Sequence, residues 1–297
     1  MRIAFLGLGH MGLPMALNLV AAGHDVAGFD VFEPARENAR SSGLEVAVSG
    51  AESVTRADVV ITMFQTGRQV LDAYSGVDGQ TGLLDAAPAG TLFIECSTIA
   101  VDEARQAHAL AEAAGHRALD APVSGGVVGA ENATLAFMVG GTAEDFASAS
   151  PVLDAMGRRI VHCGEAGLGQ AAKVCNNMIL AVSQIAVAEA FVLGERLGLS
   201  HQALFDVASN ASGQCWALTT NCPVPGPVPT SPANRDYAPG FAGVLMDKDL
   251  GLAEHAIAAT GVEARMGLLA RELYREYAEG PGAQRDFSGI IETIRSA

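Results

Sequence analysis

The first half of the chain alternates short apolar runs with longer segments whose apolar positions recur at helical spacing. The runs at 2–6, 25–29, 58–63, 91–95, 135–140 and 159–163, and another ending at Asp120, predict buried strands. Helical spacing between them covers 14–22, 101–114 and 143–156. Strand alternating with helix predicts an α/β domain with a parallel sheet. The alternation stops at Gly164, Gly167 and Gly169. The remainder of the chain is helical: a long run over 170–197, a short helix to Ser209 with Ser200 as its N-cap, and helices over 243–259 and 266–278. The segment 222–240 holds six prolines and is too long for a mere connection, so it packs over something. The expected architecture is a Rossmann-type α/β domain over 1–163 and an all-α domain over 164–297.

The run over 170–197 is apolar nearly all round, the pattern of a buried helix. Near its start Lys173 and Asn177 stand four apart, on one helical face, with Asn176 beside them. A lysine there must reach water, a charge or a ligand. On periodicity alone it is a lysine that snorkels to the surface.

Chemistry begins at the first predicted strand. It runs into GLGHMG, with Gly7, Gly9 and Gly12, then a helix, then a second strand ending in Asp30, 23 positions after Gly7. Strand, glycine loop, helix, strand and acid together form a dinucleotide-binding pattern. Gly7 permits the turn, Gly9 lets a pyrophosphate approach, and Gly12 lets the helix pack on the strand. Leu8, His10 and Met11 lend backbone N–H groups. Asp30 accepts from ribose hydroxyls and repels a 2'-phosphate, and Val31-Phe32 offers no cation to receive one. The expected cofactor is therefore NAD; the alternative for Asp30 is a strand-end cap. Phe64, Gln65, Gln69 and Thr98 follow the carboxyl ends of later strands, where open α/β sheets bind ligands, and are candidates to contact the cofactor. Ser124, Gly125 and Gly126 close a loop at 121–126 whose N–H groups suit an anion.

Charge narrows the partners. The net charge is −15, from 18 Lys and Arg against 33 Asp and Glu, and no basic run exceeds two residues. Nucleic acid is an unsuitable partner, because phosphate binding needs a positive footprint. An anionic substrate must be held by local groups, not steered by the overall field. The 170–197 run reaches membrane-spanning length, but Gln184, Glu189 and Glu195 interrupt it, so it reads as a core helix and no membrane partner is expected. The opening residues read as a strand and not as a secretory signal, which points to the cytoplasm or an organelle matrix. The five cysteines show no CxxC spacing and read as reduced, mostly buried thiols; the seven histidines do not pair at metal-ligand spacing.

FLGLGHMGLPMALNL, DAPVSGG, GLGQAAKVCNN and FAGVLMDKDLGLA, in that order, resemble the β-hydroxyacid dehydrogenase family along essentially the whole chain. SGQCWALTTNCPVPG is similar to the branch of that family that acts in valine breakdown. The resemblance implies a long interdomain helix and a homodimer or homotetramer built through the helical domain. It implies oxidation of the primary alcohol of a small hydroxyacid, 3-hydroxyisobutyrate, to its semialdehyde. In that picture Lys173 is the catalytic acid/base, with a pKa lowered by burial, and Asn177 and Asn176 hold its amine. Ser124, Gly125 and Gly126 bind the substrate carboxylate, Trp216 forms an apolar wall for the methyl branch, and Lys248 contacts the cofactor. Many members carry proline where this chain has Gln65. Tartronate semialdehyde reduction, another short hydroxyacid reaction and a non-catalytic dinucleotide module are the competing readings; retention of Lys173 with Asn177 counts against the last.

Overall fold

The computed structural model describes residues 1–296. They form two compact units that divide after Lys173.

In the first unit one sheet contains β1 (Arg2–Leu6), β2 (Asp25–Phe29), β3 (Glu45–Val46), β4 (Val59–Thr62), β5 (Leu92–Glu95), β6 (Arg117–Asp120), β7 (Val123–Ser124), β8 (Leu135–Gly140) and β9 (Gly157–Gly164). The order β3-β2-β1-β4-β5-β6 is parallel throughout, which is the doubly wound arrangement. β8 then runs antiparallel to β6 and β7, and parallel to β9. Strands in such a sheet are covered on both faces, which explains their continuous apolar runs. In β1, Ile3 and Phe5 enter one core while Ala4 and Leu6 enter the other. Strand order reverses beside β1, so the loops after β1 and β4 open at the switch point.

Several elements left no legible pattern. β3 and β7 have two residues each, too few for a period; Val123–Ser124 reads as loop in the sequence and is the strand β7. The helix Glu33–Ser41 buries only Ala39 and so shows no apolar stripe. The helices Gly67–Ser75 and Ile290–Ser296 also lie outside the predicted elements, although Val70 and Tyr74 of the first are buried at helical spacing.

The long helix Leu168–Arg196 begins in the first unit and continues into the second. Its start is tied down by Asp120 at the end of β6, whose two carboxylate oxygens accept from Gly167 N (2.7 Å) and Gln170 N (2.8 Å). This anchoring explains why the first unit extends past Gly164. The helix is not buried all round: Ala181, Ile185, Ala188 and Phe191 enter the core of the second unit, while Ile179 and Leu193 are 63% and 61% exposed. The reason is geometric, since packing within the chain covers only part of its circumference.

The second unit surrounds that core with the helices His201–Ala208, Trp216–Thr219, Gly243–Thr260, Arg265–Glu279 and Ile290–Ser296. Its proline-rich segment is held by its own bonds: Ser231 Oγ donates to Cys222 O (2.5 Å) and Tyr237 Oη to Pro223 O (2.9 Å). Cys222, Val224, Val228 and Tyr237 from this segment are core residues. Of the five cysteines, Cys96 and Cys222 are buried and Cys175 is exposed, contrary to the expectation that most are buried. Cys175 follows Val174 on the helix and so falls on a different face.

Candidate active site

The glycine loop after β1 has the geometry its residue types demand. Gly7 has φ +95°, and a Cβ there would sit 2.2 Å from Met63 O. A Cβ on Gly12 would sit 1.8 Å from Gly7 O, so the helix Gly12–Ala21 can approach the turn only without a side chain. A Cβ on Gly9 would meet nothing within 4 Å: that backbone faces open space, the room a pyrophosphate needs. The N-cap is Met11, no side chain caps the helix, and its first turn carries no acid. The N-terminal N–H groups and their partial positive charge are left for an anion.

The residues between and after these glycines differ in what they offer. Leu8 is buried, and its N–H donates to Asp30 Oδ2 (2.7 Å), so it serves the loop and not a phosphate. His10 is exposed and Met11 half-buried. Asp30 Oδ1 accepts from Phe32 N (2.9 Å). A carboxylate has about four acceptor sites, so two remain for ribose hydroxyls after these bonds. The open glycine, the uncapped helix and this oriented carboxylate fit a dinucleotide. A cation nevertheless stands near Asp30, which the reading of Val31-Phe32 did not show: Arg36 Nη1 donates to Asp30 O at 2.5 Å.

Beyond β4, Phe64 is half-buried and its N–H donates to Ser97 Oγ (2.7 Å). Its ring lies beside Gly7. Gln65 is exposed. Gln69 forms a capping box with Thr66: its Oε1 accepts from Gln65 N and Thr66 N at 3.0 and 3.2 Å, and so shapes the loop that carries Gln65.

After β5, Thr98 is half-open between buried neighbours. Gln170 brackets it: Nε2 donates to Ser97 O (2.7 Å) and Oε1 accepts from Ile99 N (3.2 Å). Gln170 is fully buried and lies three residues before Lys173 on the same helix. The loop after β5 and the start of the lysine's helix are therefore one hydrogen-bonded assembly, at the carboxyl end of the sheet where the glycine loop also opens. Burial pushes the Asp120 carboxyl above its ordinary range, opposed by its backbone bonds to Gly167 and Gln170. Lys173 is 7% exposed. The bonds made by Gln170 and Asp120 leave no signal in the sequence, where an amide or acid beside a glycine cluster carries no recognisable spacing.

Ser124 ends β7 and is half-buried. Gly125 and Gly126 follow with φ of +135° and +62°, two successive positive values that other residues resist. Successive main-chain N–H groups in such a turn converge on an anion.

In the second unit, Asn177 is 2% exposed, and its Nδ2 donates to Asp249 Oδ2 at 2.6 Å. Asn176 is exposed, and its Nδ2 donates to Asn177 Oδ1 (3.0 Å). The Asn177 amide is thus fixed at both ends. Asp249 is 6% exposed and does not stand out in the sequence. Lys248 Nζ lies 3.9 Å from Asp249 Oδ1. Trp216 opens the helix Trp216–Thr219 and is 51% exposed.

Comparison with known proteins agrees with this geometry. Residues 2–164 match the model for the NAD binding domain of 6-phosphogluconate dehydrogenase. Residues 167–294 match the model described as NAD-binding of NADP-dependent 3-hydroxyisobutyrate dehydrogenase. A probable 3-hydroxyisobutyrate dehydrogenase of Mycobacterium tuberculosis is 58% identical over 99% of this chain and 98% of its own. An NAD-dependent L-serine dehydrogenase of Pseudomonas aeruginosa is 47% identical over 97% of this chain and 96% of its own. The solved structure of the Mycobacterium tuberculosis 3-hydroxyisobutyrate dehydrogenase with L-serine superposes with a TM-score of 0.94, at 58% identity and 99% coverage of both chains. The chain belongs to the β-hydroxyacid dehydrogenase family, of the 3-hydroxyisobutyrate dehydrogenase type, and is an NAD-dependent oxidoreductase.

Proposed function

We propose that this chain oxidises the primary alcohol of 3-hydroxyisobutyrate to methylmalonate semialdehyde, as a step of valine breakdown, with Lys173 as the acid/base. The observation that carries the reading is the buried Lys173 on a helix whose start is bonded, through Gln170 and Asp120, to the carboxyl ends of β5 and β6. A nicotinamide supplies the hydride acceptor when bound, with Gly7–Gly12 and Asp30 holding its dinucleotide and Phe64, Gln65, Thr98 and Lys248 lining it. Lys173 Nζ, as the free amine, takes the hydroxyl proton; as the ammonium it returns that proton in the reverse reduction. Ser124, Gly125 and Gly126 hold the substrate carboxylate through main-chain N–H groups and the serine hydroxyl. Asn177, its amide fixed by Asp249 and Asn176, orients the lysine and the alcohol without competing for the proton. Trp216 faces the methyl branch.

Asp30 supports a preference for NAD over NADP, because a carboxylate repels a 2'-phosphate. L-Serine is the second reading, favoured by the name of the Pseudomonas aeruginosa relative and by the L-serine in the solved Mycobacterium tuberculosis structure. It replaces the methyl with an ammonium, so the two substrates ask opposite things of one wall. We also infer a cytosolic homodimer or homotetramer. The relatives' bacterial origin supports the compartment, and exposed Ile179, Leu193, Leu197 and Met266 support self-association.

Initial rates of NADH formation with 3-hydroxyisobutyrate, L-serine, 3-hydroxypropionate and glycerate test the substrate. One packed methyl is worth roughly tenfold, so 3-hydroxyisobutyrate should exceed 3-hydroxypropionate by about that factor in kcat/KM. Glycerate should be poorer still, because its extra hydroxyl would meet an apolar wall. A wild type that prefers L-serine or glycerate overturns the substrate; one that uses NADP as well as NAD overturns the role of Asp30.

A further inference from the structure

The segment after β2 carries more than the acid expected there. Asp30 is succeeded by the helix Glu33–Ser41, with Glu33 in its first turn and Arg36 and Arg40 at successive turns. Spacings of three and seven residues place all three on one helical face. Arg36 Nη2 and Arg40 Nη1 both donate to the Glu33 carboxylate, the second at 2.9 Å. Arg36 Nη1 reaches back to Asp30 O at 2.5 Å, and its guanidinium lies over the Phe29 ring, 5.5 Å from the centroid. Arg36 therefore stands beside the end of β2, where an NADP-binding fold places the cation for its 2'-phosphate, and Arg40 is held one turn further along by the same Glu33. Both are occupied by one carboxylate.

We propose that Glu33 is a specificity-determining residue: it holds Arg36 and Arg40 away from a 2'-phosphate, so cofactor selection rests on two carboxylates, Asp30 and Glu33. The proposal depends on the reading that Asp30 lies at the adenosine ribose. The charge count shows why both acids matter. Asp30, Glu33, Arg36 and Arg40 sum to zero. Removing Asp30 alone leaves one net positive charge but keeps both guanidiniums bonded to Glu33. Removing both acids leaves two positive charges and two planar donor groups facing a dianionic phosphate, the geometry for which arginine is suited. Glu33 is half-exposed, and its partners are 20% and 48% exposed, so its neutralisation leaves the core untouched.

Calorimetric binding of adenosine 2',5'-bisphosphate and of 5'-AMP separates this from catalysis. The variants are Asp30→Ser, Glu33→Gln, the double variant Asp30→Ser/Glu33→Gln, and that double variant with Arg36→Gln and Arg40→Gln added. Asp30→Ser should raise bisphosphate affinity relative to AMP. The double variant should gain about a further tenfold for the bisphosphate alone, as expected of released charge-assisted donors. The gain should vanish when the arginines are removed and shrink as salt is raised. kcat/KM for NADP should follow the same order. A double variant that binds the bisphosphate no more tightly than Asp30→Ser, or a gain that survives loss of both arginines, overturns the proposal. Failure of the underlying reading is distinguishable: Asp30→Ser then leaves the bisphosphate-to-AMP ratio unchanged, and the two-carboxylate proposal falls with it.

Discussion

Asp249 is a positioning residue whose loss can be given a size. Its Oδ2 accepts from Asn177 Nδ2 at 2.6 Å, and both side chains are buried, at 6% and 2% exposure. Asp249→Ala leaves a buried amide donor without this acceptor. A hydrogen bond to a charged group is worth about 1.5–3 kcal/mol. If Asn177 must be oriented only for the chemical step, that loss falls on kcat, by roughly tenfold to a hundredfold. Asp249→Asn keeps an acceptor oxygen of the same shape and should restore most of the rate, leaving a deficit of about threefold for the lost charge. The assay is NADH formation under saturating substrate and NAD, with urea unfolding as the control for stability. KM for NAD is followed in parallel, because Lys248 lies beside the same carboxylate. A mutant cycle tests the coupling: Asp249→Ala should add little to Asn177→Ala, since the aspartate acts through the asparagine. Multiplying losses, or an Asp249→Ala enzyme with full kcat, would refute the reasoning.

Lys173→Ala should lower kcat by about two to four decades with much less change in cofactor affinity; near-normal turnover in the folded variant removes Lys173 from the mechanism. Gln170→Leu should weaken the link from the lysine's helix to the loop at Thr98, costing about 1–3 kcal/mol of stability as buried main-chain groups lose their partner, with a parallel loss of kcat. Unchanged melting and rate would show that the link is dispensable. Trp216→Ala should shrink the preference for 3-hydroxyisobutyrate over 3-hydroxypropionate while NAD binding persists, and unchanged discrimination would mean the wall lies elsewhere. The Arg295 guanidinium, and after it His201, holds the Glu195 carboxyl below its ordinary 4.5. A lowered folded value favours the folded state above the ordinary pKa, and that stability is lost as pH falls through the lowered one. Urea midpoints should therefore drop below pH 4.5 more steeply in the wild type than in Glu195→Gln, and identical acid limbs would exclude the pair as a source of acid sensitivity.

The glycine loop, the acid after β2 and the long helix were legible in the sequence because each obeys a local rule. Gly7, Gly9 and Gly12 answer steric demands felt within a few residues, and buried parallel strands require unbroken apolar runs. Lys173 and Asn177 could be paired by helical period alone. The sequence could not show that Asp249 fixes Asn177, or that Gln170 brackets Thr98. Those bonds join residues 72 and 71 positions apart, and only folding brings their polar ends together. Arg36 was hidden for another reason. It lies near Asp30 in the chain, yet its reach back to the Asp30 carbonyl exists only once the helix Glu33–Ser41 turns it inward. The exposed apolar face of the long helix was likewise undecided by composition, because periodicity reports which residues are apolar and only packing decides which of them find a neighbour.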